Sequence, residues 1–231
     1  MSLIFSLDTT SPNSSIALLD GEKILAEYNF FSSGELSETL VSYIDSVFSS
    51  LKIGVGDIGL IGVATGPGLF TGIRVGLATL KGIFFNRSVP VVPVSSLEAV
   101  AAKLAYTGDT IVPDLDARRE EIYIASYHSS NEHLTCSVEP TLIKAEELKS
   151  VLKSEKNIYF TGAGISVYRD LIMKDFPGSF VVSRSPFIAG EIGQIALLEF
   201  EAGNYLEGTD KLEPLYIRIP DAEKNFRKGK D

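Results

Sequence analysis

Two short apolar segments of this chain end in the same way. Leu3 to Leu7 runs into Asp8, and Thr110 to Leu115 runs into Asp116. A second strand-like run follows each, Ile16 to Leu19 in the first half and Glu121 to Tyr127 in the second. Further on, Leu60 to Ala64 breaks at Thr65-Gly66-Pro67-Gly68, and Asn157 to Thr161 breaks at Thr161-Gly162-Ala163-Gly164. The aspartates lie 108 residues apart and the glycine turns 96 apart. Short apolar runs bounded by turn residues read as buried strands, and Gly-Pro-Gly is strong punctuation because glycine admits positive φ and proline fixes φ. Two degenerate βββαβαβα units at this spacing predict a duplicated α/β domain. The competing reading is chance similarity between two α/β halves.

The first unit is the more legible. Asp20-Gly21 is a hairpin signal between Ile16 to Leu19 and a third strand, Lys23 to Phe30. Ser32-x-x-Glu35 has the form of a capping box. It opens a helix from Glu35 to Leu51 with Leu36, Leu40, Ile44, Val47, Phe48 and Leu51 on one stripe. After the glycine turn, Thr71 is the expected N-cap of a helix with Ile73, Leu77, Leu80 and Phe84 at helical spacing. Val91 to Val94 is a strand, and Ser95-x-x-Glu98 caps a helix to about Ala105. In the second unit, helices are expected at Ala145 to Lys153, Ile165 to Lys174 and Glu191 to Ala202, with a strand at Ser179 to Val182.

Glycine inside a helix costs about 1 kcal/mol against alanine. Gly72, Gly76 and Gly82 all fall in the second helix, and Gly72 and Gly76 share a face. Such a face allows close backbone approach, either by the chain's own sheet or by another helix. A phosphate loop is a third reading, because glycines precede a helix N-terminus, but the Walker spacing is absent and the fit to GxGxxG is poor.

With 231 residues, 45% of them apolar, the chain is long enough for one large domain or two small ones with a real core. A net charge of −9 and a pI near 4.8 argue against a protein that grips nucleic acid by itself. A single cysteine, Cys136, leaves no intrachain disulfide or cysteine metal cluster and fits a reducing cytoplasm. The N-terminus has no basic segment ahead of a long apolar run, so no signal peptide is expected, and no apolar run reaches membrane-spanning length.

Metal chemistry has little to work with. His128 and His133 are the only histidines, HExxH is absent, and Cys136 carries no nucleophile signature. We expect no metal, no cofactor and no catalytic residue. The weak nucleotide candidates are Asp8 and Asp116, which could position a cation or a water, together with the turn glycines Gly162 and Gly164. Yet Asp8 is followed by Thr9-Thr10-Ser11-Pro12 and Asp116 by Ala117-Arg118-Arg119, where side chains crowd a phosphate and proline removes a donor.

Several stretches together resemble one family. Gly66 to Ile83 (GPGLFTGIRVGLATLKGI) looks like the signature of the bacterial TsaB (YeaZ) family. Leu7 to Glu27, Pro90 to Ala101, Asp116 to Tyr127 and the ending Glu213 to Pro220 agree with it. The resemblance is close over most of the first 130 residues and by pattern beyond. A β-meander followed by parallel strands and helices, occurring twice, is also the layout of the actin, sugar-kinase and Hsp70 superfamily. The implied fold is α/β, the actin-like ATPase (ASKHA) fold of two tandem ribonuclease-H-like lobes: 1–106 with the partner-binding helices, 107–220 with helix 191–202 leaning back on the first lobe, and 221–231 as a flexible basic tail.

The resemblance implies a non-catalytic cytoplasmic subunit for making threonylcarbamoyladenosine in tRNA. Its implied partner is a TsaD-like transferase bound through the first-lobe helices. A TsaE-like ATPase and tRNA are reached through that complex, and the same surface supports a homodimer when the chain is alone. The candidate interface residues are Leu36, Leu40, Ile44, Phe48, Ile73, Val75, Gly76 and Leu80. Charged substitutions at Leu40 and Ile44 are expected to abolish pairing and leave the fold intact. A helical stripe that covers its own sheet reads identically, so periodicity leaves core and interface open. The rival function is an actin-like small-molecule kinase or ATPase using Asp8 and Asp116. The tail, Lys224 to Lys230, is either a frayed terminus or a loose contact for RNA phosphate.

Overall fold

The structure, a computed structural model, describes residues 3–32, 34–131, 133–152 and 157–218. The basic tail lies outside the described residues. Three antiparallel strands open the chain: β1 (Leu3–Asp8), β2 (Asn13–Asp20) and β3 (Lys23–Phe31). Then come α1 (Leu36–Leu51), β4 (Ile58–Gly66), α2 (Phe70–Ile83), β5 (Pro90–Ser95) and α3 (Ser96–Ala102). The second series is β6 (Thr110–Asp116), β7 (Glu121–Ser130), β8 (His133–Lys144), α4 (Leu148–Leu152), β9 (Ile158–Gly162), α5 (Ile165–Asp175), β10 (Phe180–Val181) and α6 (Ala189–Glu201). A short β11 (Leu206–Glu207) closes it.

The strands form two sheets of one topology. The first runs β11-β5-β4-β1-β2-β3 and the second β10-β9-β6-β7-β8. In each, a three-stranded antiparallel meander shares its first strand with two parallel strands, β4 and β5 or β9 and β10. The extra β11 pairs antiparallel to the edge of β5.

Each sheet is covered on both faces, and the covering helices are exchanged. α1 and α2 lie on one face of the first sheet over a core that includes Phe5, Leu18, Ile61 and Val63. α6, which follows the second sheet in the chain, crosses back to the other face of the first. α3, which follows the first sheet, packs on the second through Leu97 and Ala101, joined by Leu104 just beyond its end. α4 and α5 cover the second sheet's remaining face. Small residues let α6 seat closely: a Cβ built on Gly62 of β4 would stand 2.8 Å from the Ala196 Cβ. The first sheet also caps that helix, because the Ser15 hydroxyl accepts from the Ile188 and Ala189 N–H groups at 3.2 and 3.0 Å.

Three local expectations differ. No side-chain cap starts α1, α2 or α3; their N-cap positions are Glu35, Leu69 and Ser95, so neither the Ser32 and Ser95 boxes nor a Thr71 cap forms. Ser32 instead donates its N–H to the Pro12 carbonyl at 2.7 Å, tied to the β1–β2 connection. β8 was not anticipated at all. It is a sheet edge on which only Ile143 is buried, so it shows no apolar alternation, and a register shift opposite Ile124 to Ser126 accommodates its Pro140.

Candidate functional site

A cavity of about 1080 Å³ opens between the lobes. The β1–β2 and β6–β7 turns reach it from the two sheets, and the loops before α2 and after β9 complete its walls. The two turns are built alike. An Asp8 oxygen accepts from the Thr10 N–H at 2.8 Å and the Thr10 hydroxyl at 2.7 Å. An Asp116 oxygen accepts from the Arg118 N–H at 2.8 Å. Both aspartates thus brace a turn two residues on, the ordinary structural use of Asp.

Their surroundings differ. Asp8 is buried, and desolvation raises its carboxyl to about 6 despite the two Thr10 bonds. Asp116 is exposed. The buried carboxylate of the second lobe is Asp114, two residues earlier on the same strand face. It accepts from the Gly164 and Ile165 N–H groups at 2.7 and 2.9 Å, and burial pushes it up to about 7. Sequence reasoning missed Asp114 because it lies inside β6 and not at the strand end. The usable signal was its place on the same strand face as Asp116.

The glycines are also explained within the chain. A Cβ on Gly68 would collide with the Thr10 carbonyl oxygen, one on Gly72 with the Thr9 carbonyl oxygen, and one on Gly76 with the Thr9 hydroxyl. That hydroxyl donates to the Gly72 carbonyl at 2.9 Å. The shared Gly72/Gly76 face therefore seats the β1–β2 turn, and no foreign helix can use it. Gly162 and Gly164 make room for Asp114; a Cβ on Gly164 would stand 2.9 Å from its carboxylate oxygen.

These turns do not fit a metal-held nucleotide. Thr10 N–H is taken by Asp8, Asn13 N–H by the Ser11 hydroxyl, and the Ala117 and Glu121 N–H groups by carbonyls of their own turn. Among the described residues no group of three or more His, Cys, Asp or Glu side chains is placed to hold a metal ion. His128 and His133 lie exposed on β7 and β8. Desolvation and the neighbouring Glu139 push the Cys136 thiol up to about 11, so it is a protonated thiol at neutral pH.

Of the eight residues proposed for the partner surface, Leu36, Leu40, Ile44, Phe48, Ile73, Gly76 and Leu80 are buried inside this chain, and Val75 is half-buried. The stripe on α1 and the stripe on α2 fill the core against the first sheet. A charge at Leu40 or Ile44 therefore breaks the fold, contrary to the expectation from the sequence. What the helices leave outside is a different set: Ser37, Glu38, Val41, Ser42, Asp45, Ser46, Ser49 and Ser50 on α1, and Thr71, Arg74, Ala78 and Gly82 on α2.

A strap that sequence reasoning did not identify closes one wall of the cavity. After β11, the Leu215 N–H donates to the Thr65 carbonyl at 2.8 Å. Tyr216 stacks on Phe70 and accepts from the Arg74 side chain at 2.9 Å. Arg218 reaches the second lobe, donating to the Ala117 carbonyl and pairing with Glu121.

The sequence profile of the family described as TsaD, tRNA N6-adenosine threonylcarbamoyltransferase, matches residues 31–196. The chain belongs to this family. It resembles the TsaB (YeaZ) members of the group end to end. The tRNA threonylcarbamoyladenosine biosynthesis protein TsaB of Bacillus subtilis is 28% identical over 228 residues, covering 95% of this chain and 96% of that one. Among solved structures, YeaZ from Pseudomonas aeruginosa superposes with a TM-score of 0.79 at 20% identity, covering 94% of this chain and all of that one. The (R)-2-hydroxyglutaryl-CoA dehydratase component A of Acidaminococcus fermentans follows at a TM-score of 0.53 and 12% identity, covering 87% and 99%. The fold is the actin-like one of two ribonuclease-H-like lobes. Among the described residues no helix is long and apolar enough to cross a membrane.

Proposed function

We propose that this chain is a non-catalytic subunit required for threonylcarbamoyladenosine formation in tRNA. It binds and activates a TsaD-like transferase through the outer faces of α1 and α2. The observation that carries this reading is Gly82. It sits near the C-terminal end of α2, where glycine costs about 1 kcal/mol against alanine, and a Cβ there meets nothing within 4 Å. Its own chain gives no packing reason for that cost, whereas Gly72 and Gly76 have one. An outside partner approaching closely does.

The surroundings support the same surface. Phe85, Phe31 and Val41 are 77%, 70% and 54% exposed on or beside these helices, amid small polar residues. Activation by binding requires the partner's active arrangement to make better contacts with this surface than its inactive one does. A TsaE-like ATPase and tRNA meet the chain through that complex, in the cytoplasm. With both strand-end carboxylates used to brace turns, the chain does no chemistry of its own.

The test combines reconstitution with a surface double variant, Ser46→Arg with Ala78→Arg. Purified TsaD-like transferase should modify tRNA only when this chain is added. The double variant should keep its thermal midpoint within about 3 °C, as surface changes do, yet lose co-elution with the transferase and lose activation. Activation undiminished in the variant sinks the surface. Modification of tRNA, or rapid ATP turnover, by this chain alone sinks the subunit reading.

A further inference from the structure

Arg74 is held in place on the outer face of α2, yet its charge is unmet. The side chain is exposed. Its Cζ lies 3.8 Å from the centre of the Phe70 ring, and its Nε–H donates to the Tyr216 hydroxyl at 2.9 Å. The Tyr216 ring stacks in turn on Phe70, with 4.9 Å between centroids and 28° between planes. One face and one edge of the guanidinium are thus occupied, both by neutral groups. Among the described residues neither terminal nitrogen has a hydrogen-bond partner, and Arg74 forms no ion pair.

The restraint comes from the strap. Leu212 anchors it in the first-lobe core, the Leu215 N–H fixes it to Thr65, and Arg218 fastens its far end to the second lobe. Fixing an arginine side chain costs much rotamer entropy. A cation over an exposed ring returns little, and a neutral hydroxyl is a weaker acceptor than a carboxylate. Folding alone gains little by holding Arg74. Binding gains more, because the side chain is already ordered when a partner arrives.

The unfilled fork matches a planar carboxylate, which accepts two parallel N–H bonds from it. A nucleic-acid phosphate could accept them too, but the neighbouring helix is acidic. Glu38 and Asp45 are exposed on α1, and the chain carries net charge −9. A lone arginine in that field suits one acidic side chain of a protein surface and not a phosphate backbone.

We propose that Arg74 reads an acidic side chain on the protein that docks on α1 and α2, and that Tyr216 of the strap is the positioning residue that aims it; this rests on the partner surface proposed above. Strap and partner are then coupled. Whatever orders Arg74 favours both, so a bound partner tightens the strap by the same factor as the strap tightens the partner. Through Arg218 the strap carries that coupling to the second lobe.

The test is calorimetric titration of the full chain with a purified TsaD-like transferase at low and high salt. Arg74→Gln should weaken binding about tenfold, and added salt should weaken the variant's binding less than the parent's. Arg74→Lys keeps the charge without the fork and should recover only part of the loss. Tyr216→Phe keeps the ring stack and removes the hydroxyl. It should weaken binding about threefold with the thermal midpoint and the salt dependence of the parent. Lys149→Gln, the same loss of charge at an exposed residue of α4, should leave affinity unchanged. The proposal is overturned if Arg74→Gln or Tyr216→Phe binds like the parent, if Lys149→Gln loses as much as Arg74→Gln, or if the Arg74 loss appears toward tRNA alone and not toward the transferase. The Ser46→Arg with Ala78→Arg variant separates the two levels. If it binds like the parent, the surface itself falls; if it loses binding while the Arg74 variants do not, the surface stands and the role of Arg74 falls.

Discussion

The β1–β2 and β6–β7 turns occupy equivalent places in two copies of one topology, yet they have been put to different uses. In the first lobe, Thr9 and Thr10 lie against α2, and Gly68, Gly72 and Gly76 give up side chains to receive them. The turn has become part of a helix seat. In the second lobe, the loop after β9 closes on Asp114 instead, and the turn beyond it stands open with Arg118 and Arg119 exposed. One copy consumed its turn for packing; the other kept it at the cavity edge and made it cationic. A duplicated scaffold can diverge in this way because each turn needs only its strand-end aspartate to hold shape.

The contrast predicts a graded set of outcomes. The largest effect belongs to the first-lobe core. Leu40→Asp places an unpaired charge in a fully buried site and should abolish cooperative unfolding, a loss of about 5 kcal/mol or more, read by thermal melts and circular dichroism. Gly76→Leu should cost about 3 kcal/mol, because the clash is with the Thr9 hydroxyl of a tight turn. If either variant melts like the parent, the helix seat is wrongly described.

The second lobe answers to pH. The Asp114 pKa rises from 3.8 unfolded to about 7 folded, so the folded state holds the proton more tightly. Its contribution favours folding most below about pH 4 and is lost as pH climbs to about 7. Asp114→Asn removes that titration and should flatten stability between pH 4 and 8 by roughly 4 kcal/mol, measured by urea midpoints at each pH. Asp8 shifts the same way to about 6, so Asp8→Asn should flatten a narrower, more acidic window. Equal effects at equal pH would erase the distinction between the lobes. The smallest change is Gly82→Ala, which should stabilise the free chain by up to about 1 kcal/mol while weakening its hold on a TsaD-like partner. A gain in stability with no loss of affinity would move the partner off α2.

The element order, the repeated aspartate turns and the helical stripes were all legible, since strand and helix leave periods of two and 3.6 in the side chains they bury. β8 escaped because an edge strand buries little and so carries no period. Start signals such as Ser32-x-x-Glu35 misled because the chain tied Ser32 to Pro12, a contact between segments twenty residues apart.

Sequence by itself determined that α1 and α2 each had an apolar face to hide and that α2 carried glycines for some close approach. It could not say what would cover those faces, because a stripe buried by its own sheet and one buried by a neighbour are the same stripe. Only the tertiary structure decided that Leu40 and Ile44 look inward, that Gly76 receives Thr9, and that Gly82 receives nothing from its own chain. Only it brought arginines from four separate stretches around one cavity. Burial and charge density are properties of position in space, and residues far apart in the chain acquire them only when the two lobes close on each other.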